Sequence, residues 1–391
     1  MTHQTESTIL NSVVETILAN GFDGMGEAMT VLFNEAMKIE RSKFLRAAPW
    51  ERTEERNGHS NGFKDKNISS RLGKLSLLVP QVRGNTEGFY PSVLEKGLRS
   101  ERALTVAMAE MYVQGVSTRN VTKILEDLCG LEVTATQVSR AAMQLDEELK
   151  KWRLRPLACI PFLQLDARYE KVRVAGAVVS CAVLIATGIM EDGKRSVLGV
   201  SVSLSEAEVH WRSFLSSLKE RGIHGLRMIT SDSHEGLKAA CRAVFNGVPW
   251  QRCQVHLQRN ATAYVTKTYH RAAVALDIRT IFNAPDRQEA ERLLGKMADK
   301  YRKEMPRLAV WMESDLPEGL TVLMLPASQR LRLRSTNMVE RLNREIKRRT
   351  RVVSIFPNED SLLRLVGALL METSEDWESG KKYLKMEAEL T

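Results

Sequence analysis

The chain has 391 residues, 43% of them apolar and 27% charged. That suits a soluble globular protein of about two to three domains and excludes a disordered, collagen-like or disulfide-stapled chain. Lys and Arg outnumber Asp and Glu by 57 to 48, a net charge of +9, and such an excess favours polyanionic partners such as nucleic acid. Five scattered cysteines make no disulfide framework, and the N-terminal segment lacks the basic, apolar and small-residue order of a signal peptide, so a cytoplasmic setting is expected.

Apolar residues at helical spacing (Val13, Val14, Ile17, Leu18, then Met29, Leu32, Phe33, Met37) predict helices within residues 7–48. Residues 51–75 turn rich in Gly, Asn, Ser and Lys/Arg, which reads as an exposed basic loop or hairpin, followed by a short strand at Leu75–Pro80. From Arg41 to Arg102 there are 13 basic and 7 acidic residues. Residues 101–152 read as three helices. The first stops at Gly115, the second is capped by Ser117 and stops at Gly130, and the third opens on a capping box of Thr134 and Gln137. This outline fits a helix-turn-helix DNA reader or a plain three-helix packing module. Both stay open, because no Arg or Lys crowds the start of the last helix.

Pro156 marks a domain boundary, after which strands and helices alternate as in an α/β sheet. Strands are expected at Phe162–Leu165, Val174–Thr187, Ser196–Val202, Leu226–Thr230 and Gln251–His256. Helices are expected through Lys219, opened by a Ser205–Glu208 capping box, and from His234 to Val244. The apolar run Val174–Met190 approaches membrane-span length, but Gly176, Ser180, Thr187 and Gly188 interrupt it, so it reads as a doubly buried central strand and no membrane partner is expected. From Leu257 to Leu325 the pattern is helical, with Pro285-Asp286 opening one helix, and reads as an insertion in the sheet domain.

Two aspartates close apolar runs, Asp166 in FLQLDARYE and Asp232 in RMITSDSHEG. Carboxyl ends of sheet strands are where α/β folds present functional groups, and a buried carboxylate there calls for a partner. Oxygen ligands from two strands suit Mg²⁺ or Mn²⁺; the bland alternative is a turn or helix-capping aspartate. Glu340 lies in QRLRLRSTNMVERLNREIKRRTR, where nine Lys/Arg face two Glu. On a helix Val339, Leu342 and Ile346 form an apolar face, and Glu340 shares another with Arg344 and Lys347. Asn337 and Glu340 also fit an N-x-x-E cap, which would leave Glu340 only a structural role. Such a one-signed run points to a polyanion. WQRCQVHLQRN pairs Cys253 with His256 at C-x-x-H spacing. With only Cys241 nearby it falls short of four zinc ligands, so packing beside an active site is the preferred reading.

Together, LDARYEKVR, SDSHEGLKAA, WQRCQVHLQRN and STNMVERLNREIKRRTRVVSIFPN resemble the bacterial Mutator-type insertion-sequence transposases, a family of the DDE class. The likeness covers nearly the whole chain and includes VSTRNVTKIL. It implies an α/β RNase H-like core interrupted by an all-helical insertion and preceded by a helical DNA-binding region with a helix-turn-helix. The expected domains are 1–100 (helices and basic hairpin), 101–155 (helix-turn-helix), 156–256 (first part of the core), 257–328 (insertion) and 329–391 (the helices carrying the glutamate).

The resemblance further implies a metal-binding triad of Asp166, Asp232 and Glu340 holding two Mg²⁺ or Mn²⁺ ions, with Glu170 and Glu345 as substitutes. The chemistry would be nicking of an element end and joining of its 3′-OH, by a copy-out, paste-in route. DNA contacts are expected from Arg252, Arg259, Arg341, Arg344, Lys347, Arg348, Arg349 and Arg351, and from Arg119 and Arg140 in the helix-turn-helix. Cys253, His256, His234 and Asn337 would support the site. The partners would be double-stranded DNA, as terminal inverted repeats and target, and a second copy of the chain in a homodimer at the nucleoid. A DNA-binding regulator without catalysis, or a nuclease or resolvase that cleaves without joining, would share parts of this pattern.

Overall fold

Chain contacts divide the protein into two units, residues 1–144 and 145–391; the computed structural model describes residues 2–84, 88–94 and 100–386. The first unit opens with α1 (Thr2–Asn20) and α2 (Met25–Leu45). The basic stretch then forms an antiparallel hairpin of β1 (His59–Ser70) and β2 (Gly73–Arg83). Alternation along β2 turns Leu75, Leu77 and Val79 inward, into a core with Met37 and Leu94.

Three helices follow, α3 (Arg102–Val113), α4 (Thr118–Cys129) and α5 (Ala135–Met143), packed around Leu104, Met108, Val121, Leu125 and Val138. Their ends are set by the residues expected to set them. Ser117 Oγ accepts from Asn120 N (3.2 Å), Gly130 takes φ 62° at the end of α4, and Thr134 and Gln137 form the reciprocal capping box. The last helix, expected to run to Trp152, breaks at Gln144–Leu145, and α6 (Asp146–Leu154) belongs to the second unit. Asp146, Glu147 and Glu148 give α6 its own acidic first turn. Arg364 clamps Asp146 with bonds of 2.6 and 2.7 Å. The division between units therefore lies ahead of Pro156.

The second unit is built on β3 (Phe162–Val174), β4 (Ala177–Ile189), β5 (Arg195–Ser203), α7 (Glu208–Glu220), β6 (Met228–Ser231), α8 (Glu235–Val244) and β7 (Trp250–Arg252). Sheet order is β5-β4-β3-β6-β7, antiparallel from β5 to β3 and parallel from β3 to β7. Cys181–Ile189 of β4 are buried throughout, as expected of an interior strand. Trp211, Leu215 and Leu218 of α7 and Leu237 and Ala240 of α8 cover one sheet face. Phe162, Ile189 and Met228 pack with Val322, Leu325 and Leu333.

Three local expectations fail here. β3 does not stop at Asp166 but continues to Val174, since its second half pairs along β4. The Ser205–Glu208 box does not form: α7 starts at Glu208 behind Ala207, and Ser205 Oγ accepts from Ala207 N instead. The strand expected at Gln251–His256 ends at Arg252, and a helix begins two residues later.

After β7 come α9 (Gln254–Ala261), α10 (Arg271–Phe282), α11 (Arg287–Arg302), α12 (Pro306–Asp315) and α13 (Ala327–Leu333). Leu257, Ile278, Leu294, Leu308 and Trp311 give most of this stretch its own core, and Asp286 caps α11. α14 (Asn337–Val353) and α15 (Glu359–Ser379) complete the unit. Among the described residues no helix is long and apolar enough to cross a membrane.

Candidate active site

The parallel pairing of β3 and β6 aligns Gln164 with Thr230. Two residues further along each chain come Asp166 and Asp232, near enough for the charge of Asp232 to act on Asp166. β6 ends at Ser231, tied by Trp250 Nε1 to its hydroxyl (2.9 Å) and by Cys253 N to its carbonyl (2.7 Å). Asp232 thus stands at a fixed strand end, while Asp166 stands where β3 loses its parallel neighbour.

Glu340 reaches them because the chain entering α14 is stitched to the same strands. Gln164 Nε2 donates to Ser335 O (3.3 Å) and Thr230 Oγ1 to Leu333 O (3.0 Å). Gln254 N donates to Arg334 O (3.0 Å), and Thr336 donates to Cys253 Sγ through N and Oγ1, each at 3.4 Å. Beyond that anchor α14 runs along β3. Asn343 Nδ2 donates to Asp166 Oδ2 (2.7 Å), Thr350 Oγ1 to Glu170 Oε1 (2.9 Å), and Phe356 N to Lys171 O (2.9 Å). Val339, Leu342 and Ile346 form the inward face.

Asp166 is 8% exposed. Burial first, then the charges of Asp232 and Glu340, push its pKa up to about 7, against the pull of the Ala167 N–H and His256. Glu340 is not a cap. The helix begins at Asn337 with Thr336 ahead of it and no side-chain capping bond. Glu340 Oε1 is shut off from solvent without a hydrogen bond; His256 Nε2 and Arg259 Nη1 stand 3.7 Å away, within ion-pair but not hydrogen-bond reach. Neither substitute carboxylate is available: Glu170 is bound by Arg168 and Thr350, and exposed Glu345 pairs with Arg348 at 3.1 Å.

A buried carboxyl raised by the charges of two others, one of which has an orphaned buried oxygen, has a donor set that suits a hard divalent cation. Among the described residues no three His, Cys, Asp or Glu side chains are gathered tightly enough to grip a metal as they stand. Both Asp166 oxygens are taken by N–H donors, and His256 and Arg259 draw on Glu340.

Cys253 and His256 sit at the start of α9 rather than on a strand. Burial pushes the thiol up, but hydrogen bonding from His256 and Thr336 outweighs it and leaves Cys253 below the usual range. His256 is raised, first by the Cys253 sulfur, against burial, with Asp232 and Asp166 adding to the rise. Its Nδ1 is buried and makes no hydrogen bond. His234 precedes α8 without capping it, its Nδ1 buried and unpartnered, and its charge acts on Glu206.

The expected DNA contacts divide. Arg341, Arg344, Lys347, Arg348 and Arg351 are exposed on α14, Arg259 is exposed on α9, and Arg119 and Arg140 are exposed on α4 and α5. Arg349 is not available: it is 7% exposed, on the inward side with Ile346 and Thr350. Arg252 is not either, because the residue is 6% exposed and its guanidinium is spent on Asp315 (2.7 Å) and Glu318 (3.2 Å). Two neighbours of these three carboxylates escaped the sequence reading. Asn343, one turn past Glu340, had that spacing as its only signal. Glu206, raised by burial and by nearby Asp232, lies in a loop with no pattern to mark it.

Residues 1–380 match the family described as Transposase, Mutator family. The chain is 56% identical to the transposase for insertion sequence element IS406 of Burkholderia multivorans, over 98% of this chain and 99% of that one. It is 43% identical to the ISRM5 transposase of Rhizobium meliloti, over 98% and 96%. Against the transposase for IS256 in transposon Tn4001 of Staphylococcus aureus it is 37% identical, over 98% of each chain. With that match running from the N-terminal helices through α15, the chain belongs to the Mutator family of transposases.

Proposed function

We propose that this transposase is a DDE enzyme whose sheet unit is an RNase H-like core, with the helices between β7 and α14 inserted ahead of the glutamate. The observation that supports the reading is that Asp232, just past β6, and Glu340, on α14, both lie near enough to buried Asp166 for their charges to raise it. Asp166, Asp232 and Glu340 would hold two Mg²⁺ or Mn²⁺ ions. Such ions lower the pKa of an attacking water and stabilise a departing 3′ oxygen in an in-line displacement at phosphorus.

The chain's own residues position the reaction. Asn343 and the Ala167 N–H fix the two oxygens of Asp166. Arg344 and Lys347, on the Glu340 face of α14, take phosphates on either side of the scissile bond, contacts that place DNA without reading its bases. Hydrolysis frees a 3′-OH at the element end. Transesterification then exchanges one phosphodiester bond for another and needs no outside energy, along a copy-out, paste-in route. Residues 1–144 recognise terminal inverted repeats through α4 and α5, and two copies of the chain hold the two ends in the nucleoid.

The test incubates purified protein with a labelled element end and Mg²⁺ or Mn²⁺. Wild type nicks and joins, and Asp166→Asn does neither. Equal activity of the two would remove Asp166 from the site.

A further inference from the structure

Glu340 also borders a cavity of about 440 Å³ whose walls carry Arg195, Arg332, Arg341 and Arg344 with Tyr383. Four guanidiniums share this space, and among the described residues none of their side chains has an ion pair or hydrogen bond. The one carboxylate on the wall, Glu340, is already approached by His256 and Arg259. Arg195 Nε is shut off from solvent with no acceptor. A buried donor left unmade is costly, and like charges crowded together add to that cost. An anion with several oxygens relieves both.

The cavity is also built in advance of its ligand. The Arg195 guanidinium lies 4.3 Å from the Trp377 ring centre and 4.7 Å from that of Tyr383, and Arg332 lies 4.8 Å from the same Tyr383 ring. Stacking fixes guanidinium planes while leaving their N–H donors free. Tyr383 is itself held. Its N–H and that of Leu384 both donate to Gly193 O, at 2.8 and 3.0 Å. Only glycine serves at 193, where φ is 83° and an added Cβ would meet Leu384 O at 2.0 Å. The turn that starts β5, and with it Arg195, is thereby locked to the segment carrying Tyr383.

We propose that this cavity is a phosphate subsite for the DNA strand running past Glu340, in which Arg195 and Arg332 grip a backbone phosphate and Tyr383 is the positioning residue that sets their planes. The inference rests on the DNA-processing reading above and deepens it. Burial and the neighbouring charges of Arg341 and Arg332 hold Arg195 below its usual pKa, the relation that a bound phosphate would reverse.

The test measures binding of the full chain to an inverted-repeat duplex in EDTA, so that catalysis plays no part. Arg195→Gln/Arg332→Gln should bind about 10-fold more weakly, and its salt slope should fall by about 0.9, one phosphate contact's worth. Methylphosphonates placed singly along the duplex should show one position that weakens wild type and leaves the double variant unaffected. Inorganic phosphate at millimolar levels should not displace the duplex from wild type; displacement would assign the cavity to the free ion. Tyr383→Ala should lose part of the affinity and Tyr383→Phe restore it. Arg332→Gln alone, from an exposed position, carries the same slope test if the double variant fails to fold. Variants matching wild type in affinity, slope and methylphosphonate pattern would overturn the subsite and leave the transposase reading standing. Failure of wild type to bind any duplex would overturn that reading instead.

Discussion

At Asp166 the fold sets burial and two neighbouring carboxylates against a pair of N–H donors, and the burial and charge prevail, with a pKa of about 7. The consequence for stability has a definite sign. A carboxyl whose folded pKa exceeds its unfolded value stabilises the fold while protonated and loses that contribution as pH rises, here between about 4 and 7. Metal-free wild type should therefore lose stability across that window, by up to about 4 kcal/mol, and Asp166→Asn should not. Thermal melts at stepped pH in EDTA check this; parallel curves for the two proteins would contradict it. Asn343→Ala should raise the metal concentration needed for half-maximal nicking and lower the rate about 10–100-fold, as loss of a ligand-orienting bond does, with little change in melting temperature. The two aspartates were legible in the sequence because each closes an apolar run. Asn343 was not, since its role depends on α14 lying along β3, a pairing of residues 177 positions apart.

The elements set by local chemistry could be read directly. Ser117, Gly130, the Thr134–Gln137 box and Asp286 mark helix ends because each satisfies a backbone group within three or four residues of itself. Thr134→Ala should accordingly cost about 1 kcal/mol, measured by urea unfolding. An unchanged midpoint would show that α5 does not depend on its cap. Elements decided by distant partners could not be read this way. The second half of β3, RYEKVRV, lies beyond the strand expected at Phe162–Leu165 and is strand through its pairing with β4. Ser205 and Glu208 have capping-box spacing, yet the helix begins at Glu208 itself. The Asn337–Glu340 cap fails for a related reason, and its failure leaves Glu340 free for the site.

Across the whole molecule, the charge of +9 is informative only once its members are sorted by environment. Sequence shows a basic run from Arg330 to Arg351, but not which members turn inward, and Arg349 does. Substituting Arg344 or Lys347 by Ala should weaken DNA binding alike on every sequence and reduce the salt slope by about 0.9 each. Arg252→Ala should leave that slope unchanged and destabilise the protein by about 1–3 kcal/mol, because Asp315 and Glu318 each lose one of their partners and the buried side-chain packing goes with it. Salt titrations and melts of the same variants separate the two groups. The clustering of Arg195, Arg332 and Tyr383 was equally illegible, since it arises from a turn and a distant segment meeting at Gly193.

Anomalous diffraction from crystals grown with Mn²⁺ bears most directly on the central claim, that Asp166, Asp232 and Glu340 close on a divalent couple. The account predicts two manganese peaks, with Asp166 shared between them and Asp232 and Glu340 each on one. Manganese bound elsewhere, or the three carboxylates still apart with Glu340 facing Arg259, would contradict it.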